Sequence, residues 1–495
     1  QFDGVVVSDW GGAHDTDQAV RNGLDMEFGS WTNGLSWGAS NAYDSYYLAR
    51  PYLKAIQEGK YTTRELDEKV RRVLRLFYRT TMNRHRPHGF FCSDGHYATA
   101  RQIAEEGIVL LQNRNRVLPI NTQKVRRVLV VGENAIKMMT VGGGSSSLKV
   151  QREISPLQGL QARLAKDGVE VDFARGYVGD VTGAYNGVTT GQNLEDKRSE
   201  AELIAEAVEK AKAADCVILF GGLNKSDYQD CEGHDRQQYE LPYAQDKLIT
   251  ALAAANKNFV YVNISGNAVA MPWCDKVPAI VQGWYLGSEA GEALASVLTG
   301  DANPSGKLPF TWVKSLQNVG AHALNTYPGT WRKEGGSKTE GNIIDEEYKE
   351  GIYVGYRWAD REKQRPVFAF GHGLSYTQFA ISNLRADKSS MTAADSITFT
   401  VQVKNIGQRA GSEIVQLYVH DAKASVDRPL KELKGFSKVS LQPGESKDVS
   451  ITLGKDALSF YDETTASWKA EPGQFEAWVG NASDNLKLKK TFELK

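Results

Sequence analysis

Between residues 97 and 320, short runs rich in valine, isoleucine and phenylalanine alternate with amphipathic stretches of helical period. Val125–Gly132, Val169–Ala174, Cys216–Gly221, Phe259–Ile264 and Ala279–Trp284 read as buried-type strands. Pro156–Lys166, Ser199–Ala213, Pro242–Asn256 and Glu289–Thr299 read as the helices between them. Strands joined through crossover helices pair in parallel, so the pattern predicts an open, doubly wound α/β sheet. Ligands on such sheets sit beyond the carboxyl ends of the strands, which directs attention to the loops after the first and third of these five runs.

The flanks follow other rules. Gln1–Trp10 is a strand-like run ending at Ser8-Asp9-Trp10, and Asp25–Phe28 is a second. Asp15 with Gln18 marks a helix start running to about Leu24, and further helices are predicted over Ser45–Gln57 and Thr63–Tyr78. Two strands among helices read as the C-terminal part of a (β/α)8 barrel, because a closed barrel needs eight strands and about 250 residues. Residues 79–96 form a basic connector with Pro87 and Gly89, and 320–380 a long polar one. Beyond it the period falls to two: Ile397, Phe399, Val401 and Val403 alternate with polar neighbours. Val415–Val419, Val449–Leu453 and Phe475–Val479 do the same, with Asn405-Ile-Gly407 and Pro443-Gly444 as turns. That is a β-sandwich. The domain expectation is therefore 1–85 (partial barrel), 86–320 (α/β sandwich), 321–380 (connection) and 381–495 (β-sandwich).

Charge and cysteine content narrow the chemistry. Lys and Arg number 59 against 60 Asp and Glu, so there is no basic excess to neutralise a phosphate backbone and nucleic acid is not an expected partner. No apolar run is long enough to span a bilayer as a helix. Cys92, Cys216, Cys231 and Cys274 match no zinc or redox spacing and are expected to be free thiols. The histidines form no zinc-protease pair, no Gly-x-Ser-x-Gly elbow occurs, and no metal or cofactor is called for.

Carboxylates remain. Asp9 stands where an apolar run stops, which in a barrel is the catalytic face, although a cap of the following turn would look the same. Glu232 sits in the crowded segment Asp230-Cys-Glu-Gly-His-Asp-Arg236 after the third strand. As a proton donor near neutral pH it would need a raised pKa, with Asp230 and Asp235 raising it and Arg236 opposing. Read as structure alone, the segment is a mixed-charge surface loop. Gly142-Gly-Gly-Ser-Ser-Ser147 lacks the Gly-Lys-Ser/Thr ending of a phosphate cradle and suits hydrogen bonding to a polar ligand. Two carboxylates on separate domains are the requirement of glycoside hydrolysis.

With those residues on the page, the sequence resembles glycoside hydrolase family 3, in particular its bacterial β-glucosidase branch. The resemblance rests on ordered segments: Gly4–Trp10, Ala104–Asn113, Gly142–Ser145, Glu232–Arg236 with Leu241-Pro242, Asn303–Pro309, Tyr348–Arg357 and Phe370–Tyr376. It implies that the sandwich is a fibronectin type III-like domain and that the mechanism is retaining. It assigns Asp9 as nucleophile and Glu232 as acid/base, and places Trp10, Gly143, Gly144 and Ser145 at the substrate. His234, Asp235 and Arg236 would support Glu232.

The family's earlier barrel strands, which bring further sugar-holding residues, have no counterpart here. The expectation is that a further barrel segment or companion chain completes the site, that activity depends on it, and that the run Val5–Val7 is otherwise an unpaired apolar edge. A homodimer is a further expectation. The implied reaction is exo-release of terminal β-linked glucose from oligosaccharides or aryl glucosides. A β-xylosidase or arabinofuranosidase of the same family, or a non-catalytic carbohydrate-binding remnant, are the alternatives. The resemblance also suggests a periplasmic or extracellular setting.

Overall fold

A computed structural model of the chain describes residues 2–28, 44, 46–142, 145–146, 148–179, 190–232, 236–332 and 344–495. It divides into two compact units, Gln1–Phe91 and Cys92–Lys495.

Among the described residues the first unit has little regular sheet. The two expected strands meet in a single parallel bridge, Val7 with Met26, extended by Ser8 N–H to Met26 O (2.9 Å) and Asp25 N–H to Val6 O (2.9 Å). With one neighbour each among the described residues, both runs are irregular, and Phe2, Val6 and Val7 are 73%, 42% and 47% exposed. Helix α1, Thr16–Arg21, starts at Asp15, whose carboxylate accepts from Gln18 N–H, and stops short of Leu24 because Gly23 turns the chain at φ 84°. Helix α2 spans Arg50–Gln57, five residues shorter than expected, since Pro51 suits only the first turn. Helix α3, Thr63–Arg79, is capped by Thr62. It buries the Lys69 stem and aims its ammonium at the Leu24 carbonyl (2.6 Å), while Arg72 pairs with buried Asp25 (2.7 Å).

The second unit opens with α4, Asp94–Gly107, begun by a capping box between Ser93 and His96 inside the expected connector. A six-stranded sheet follows: β1 (Val109–Asn113), β2 (Arg127–Val131), β3 (Glu170–Ala174), β4 (Cys216–Gly222), β5 (Phe259–Ile264) and β6 (Ala279–Gln282), in spatial order 1-6-5-4-2-3. Strands β2 to β6 are parallel, as expected. The edge strand β1 is an addition that runs antiparallel to β6. Helices α5 (Pro156–Ala165) and α8 (Ala290–Thr299) pack on the face carrying Val128, Val130, Ile218 and Val260. Helices α6 (Glu200–Ala213) and α7 (Gln245–Ala255) pack on the face carrying Leu129, Val131, Val217 and Tyr261. Successive residues of a central strand thus feed opposite cores, which is why these strands are apolar on both sides.

The C-terminal sandwich packs a three-stranded sheet (Phe379–Ala386, Ser396–Asn405, Ser446–Gly454) against a five-stranded one. Ile397, Phe399, Val401, Val403, Val415, Leu417, Phe475 and Val479 point into its core, the set expected from the two-residue period. Tyr418 breaks that pattern. It is fully buried because residues 356–370 cover the outer face, with Tyr356 edge-on to its ring at 5.7 Å. The fold is therefore α/β multidomain: barrel-type α/β segment, doubly wound sheet, and fibronectin-III-like sandwich.

Candidate active site

The sheet order reverses between β2 and β4, since β3 lies on one side of that pair and β5 on the other. At such a switch point the two departing loops diverge and leave a crevice. The carboxyl ends of β2 and β4 are fixed by close backbone approach. Gly132 has φ 109°, and a Cβ there would stand 2.1 Å from Phe220 O; Gly222 has φ 110°, and its Cβ would meet Ile264 O at 2.2 Å. Asn134, fully enclosed, donates from Nδ2 to Gly221 O (3.1 Å) and Leu223 O (3.0 Å), tying the two strand ends together.

The loop after β2 is held at its base by Glu153, whose carboxylate accepts from Met139 N–H (2.5 Å) and Thr140 N–H (3.0 Å). Beyond that anchor Ser145 N–H donates to Oε2 of Glu232, which comes from the loop after β4. The structure therefore joins the two loops singled out from the sequence, through Ser145 and Glu232. Gly143, Gly144, His234 and Asp235 lie outside the described residues.

The electrostatics of Glu232 differ from expectation. Its carboxylate is exposed, and the backbone and side-chain hydrogen bonds from Ser145 hold it below the usual glutamate range rather than above it. Asp230 does not raise it, because Asp230 is committed elsewhere. Its oxygens accept from Gly266 N–H (2.7 Å), Asn267 Nδ2 (3.0 Å) and Tyr285 OH (2.9 Å). Arg236 does not face Glu232's charge as an opposing ion either; it donates to Ala268 O (2.8 Å), and burial lowers its pKa. Residues two before and four after Glu232 are thus fastened to the same turn, Gly266–Ala268. Asp230 and Arg236 act as a bracket around the Glu232 loop and not as the charges tuning Glu232 that the sequence predicts. Lys225, with its ammonium 3.8 Å over the Tyr285 ring, completes the bracket.

In the first unit, Asp9 follows the Val7 bridge. Its carboxylate Oδ1 accepts from Trp10 N–H (2.7 Å) and its carbonyl from Gly12 N–H (2.9 Å), so the side chain is oriented by its own turn and left exposed. The Trp10 ring is 76% exposed and stacks on Phe28 (5.5 Å, 26° between planes), so it is a surface ring and not a core one. Among the described residues, no cluster of three or more His, Cys, Asp or Glu side chains is arranged to hold a metal ion. None of the four cysteines forms a disulfide, and among the described residues no helix is long and apolar enough to cross a membrane.

Comparison with known proteins finds counterparts of the doubly wound sheet and of the sandwich that follows it. Residues 108–356 match the glycosyl hydrolase family 3 C-terminal domain, and residues 413–483 a fibronectin type III-like domain. A Bacteroides ovatus protein named beta-glucosidase BoGH3A is 47% identical over 99% of this chain. A Bifidobacterium breve protein named exo-alpha-(1->6)-L-arabinopyranosidase is 32% identical over 98% of it. The crystal structure of a family 3 β-glucosidase from Bifidobacterium adolescentis superposes with a TM-score of 0.82 at 31% identity, covering 99% of this chain and 64% of that one. The chain belongs to glycoside hydrolase family 3. It spans 64% of the length of the Bacteroides relative and 58% of the Bifidobacterium breve one.

Proposed function

We propose that the chain carries both catalytic carboxylates of an exo-acting, retaining β-glucosidase. The Asp9 carboxylate attacks the anomeric carbon as the glycosidic bond breaks, and Glu232 delivers its proton to the departing oxygen. The resulting glycosyl ester on Asp9 is opened by a water molecule whose proton Glu232 takes, so two inversions leave net retention and one water is consumed. Trp10 supplies an exposed ring for the sugar face, and the loop Gly143–Ser145 lines the glutamate side. His234, Asp235 and Arg236 set the loop that bears Glu232. The remaining staves of a closed barrel, on the same polypeptide or a companion, complete the subsite that grips the sugar hydroxyls.

The observation that supports this most is the Ser145–Glu232 contact, which presents an exposed carboxylate where two strand ends diverge. It also adds a step. Before Glu232 can protonate a leaving oxygen, that oxygen must take the place of the Ser145 donors, whose bonds favour the ionised form.

The test is leaving-group dependence. Glu232→Gln is expected to slow release of a poor alcohol leaving group by roughly 10²–10⁴-fold. It should spare a dinitrophenyl glucoside and recover turnover with azide; equal loss on every substrate contradicts the assignment. Release from nitrophenyl glucoside, xyloside and arabinopyranoside decides the sugar, the last included because of the name borne by the Bifidobacterium breve relative. Binding without release of any of the three would favour a non-catalytic carbohydrate-binding role.

A further inference from the structure

At the other end of the sheet lies a groove of 1140 Å³ that the proposed reaction does not use. One wall is Asn113–Gln123, between β1 and β2; the other is Gly373–Phe379 with Ile406–Arg409 from the sandwich. Asn113 pairs with Ala279, the first residue of β6, and Asn121–Gln123 lead into β2. The groove therefore opens at the amino ends of the parallel strands, whereas Glu232 stands beyond their carboxyl ends. Its size is somewhat above that of clefts that take drug-sized ligands, about 300–1,000 Å³, and leaves room for an oligosaccharide.

Its charge is one-sided. Arg116 and Arg409 both line it, and among the described residues neither guanidinium is met by a carboxylate. Among the described residues the Arg409 guanidinium makes one hydrogen bond, a long one to Gly300 O (3.4 Å). The one acidic side chain in the lining, Glu413, is already neutralised by Lys307 at 2.8 Å and accepts from Asn481 Nδ2 at 2.9 Å. Arg116 is preceded by Asn115, and both hold left-handed backbone (φ 54° and 58°), a conformation that non-glycine residues seldom adopt and that recurs where side chains bind ligands. Besides the arginines the lining offers the amides of Gln378 and Gln408 and the apolar surfaces of Leu374 and Ile406, 39% and 53% exposed.

We propose that this groove is a second saccharide site, specific for oligosaccharides that carry a carboxylate. A guanidinium meets a carboxylate through two parallel hydrogen bonds, which makes arginine the residue suited to a uronic acid. The glutamine amides suit sugar hydroxyls, and the leucine and isoleucine suit the C–H face of a pyranose. A small inorganic anion would engage the arginines and leave the rest of the groove empty. Such a site would hold the enzyme on an acidic polysaccharide and leave the exposed glutamate free to work.

The test uses calorimetric titration of the whole protein with trigalacturonate and with its full methyl ester, which differ in charge and share the same chain. Neither is a β-glucoside. The expected result is binding of the acid at least ten-fold tighter than the ester, weakened by raising the salt from 50 to 500 mM. That preference should be lost in Arg116→Gln/Arg409→Gln, with release from nitrophenyl glucoside unchanged. Gln378→Leu, which leaves both charges in place, is expected to weaken both sugars by a similar factor. Equal binding of acid and ester overturns the proposal, as does a preference that survives the double substitution. So does displacement of trigalacturonate by inorganic phosphate at equal concentration, which would make the groove a plain anion site.

Discussion

Two apolar runs of similar composition end in opposite states. Val5-Val-Val7 in the first unit makes one bridge and leaves Val6 and Val7 nearly half exposed; Val128–Val131 in the second unit, flanked by β3 and β4, is essentially inaccessible. The difference lies in the neighbours, since a parallel strand is stable when both edges are paired and both faces covered. The first unit has instead spent its polar groups on local fixation. Asp25 holds Val6 N–H (2.9 Å) and Arg72, Glu27 holds Tyr47 N–H (3.0 Å) and Leu48 N–H (2.7 Å), and Asp9 holds its own turn. One carboxylate of the proposed pair thus sits on a stave oriented by hydrogen bonds, and the other on a loop bracketed over a packed sheet.

The contrast can be broken by mutation. Phe399→Ala in the sandwich core, where the ring is 2% exposed and edge-on to Phe492 at 5.2 Å, should cost about 3–5 kcal/mol in denaturant unfolding of the second unit. Val7→Ala should stay within about 0.5 kcal/mol. Comparable losses would mean that the first unit buries its stave after all. Hydrogen exchange sharpens the same point. Amides of β2, β4 and β5 should be the most protected in the chain, and those of residues 2–10 among the first to exchange.

A smaller effect comes with pH. His372 is half-buried against Phe368 with its ring nitrogen 2.8 Å from Leu111 O, and this partial burial lowers its pKa below the ordinary histidine value. The unfolded chain then binds the proton more readily than the folded one, so stability of the second unit should fall as pH drops below about 6.5 and level off below the folded pKa. Replacing His372 by Gln should flatten that slope; an unchanged slope would place the titration elsewhere. The smallest effect expected is on Glu232. Ser145→Ala removes the side-chain donor and keeps the backbone one, so the alkaline limb of kcat/KM should move to higher pH, with no change in the melting profile.

Much of this was legible from sequence because it depends on short-range pattern. The crossover alternation specifies β2 to β6, and the two-residue period specifies Phe399, Leu417 and Phe475 as sandwich core. Asp9 and Glu232 stood out as carboxylates at strand ends. What escaped depends on partners distant in the chain. Strand β1 has no crossover of its own and exists because β6 offers an edge. Tyr418 is buried by the segment 356–370, well earlier in the chain. Asp230 looked like a charge beside Glu232, yet its actual partners, Gly266, Asn267 and Tyr285, lie 36 to 55 residues away. A sign of that was available: Asp230 and Arg236 flank Glu232 with opposite charge, a spacing that suits fastening a loop at both ends.

The central claim is that Asp9 forms the glycosyl bond. A 2-deoxy-2-fluoro-β-glucoside with a good leaving group slows the second displacement and lets the intermediate accumulate. Mass spectrometry of the digested protein should find the fluoroglucosyl mass on the peptide containing Asp9, and none after Asp9→Asn, whose turnover should fall by on the order of 10³-fold or more. A label on any other carboxylate, or steady turnover with Asp9 unmodified and replaceable, would contradict the account.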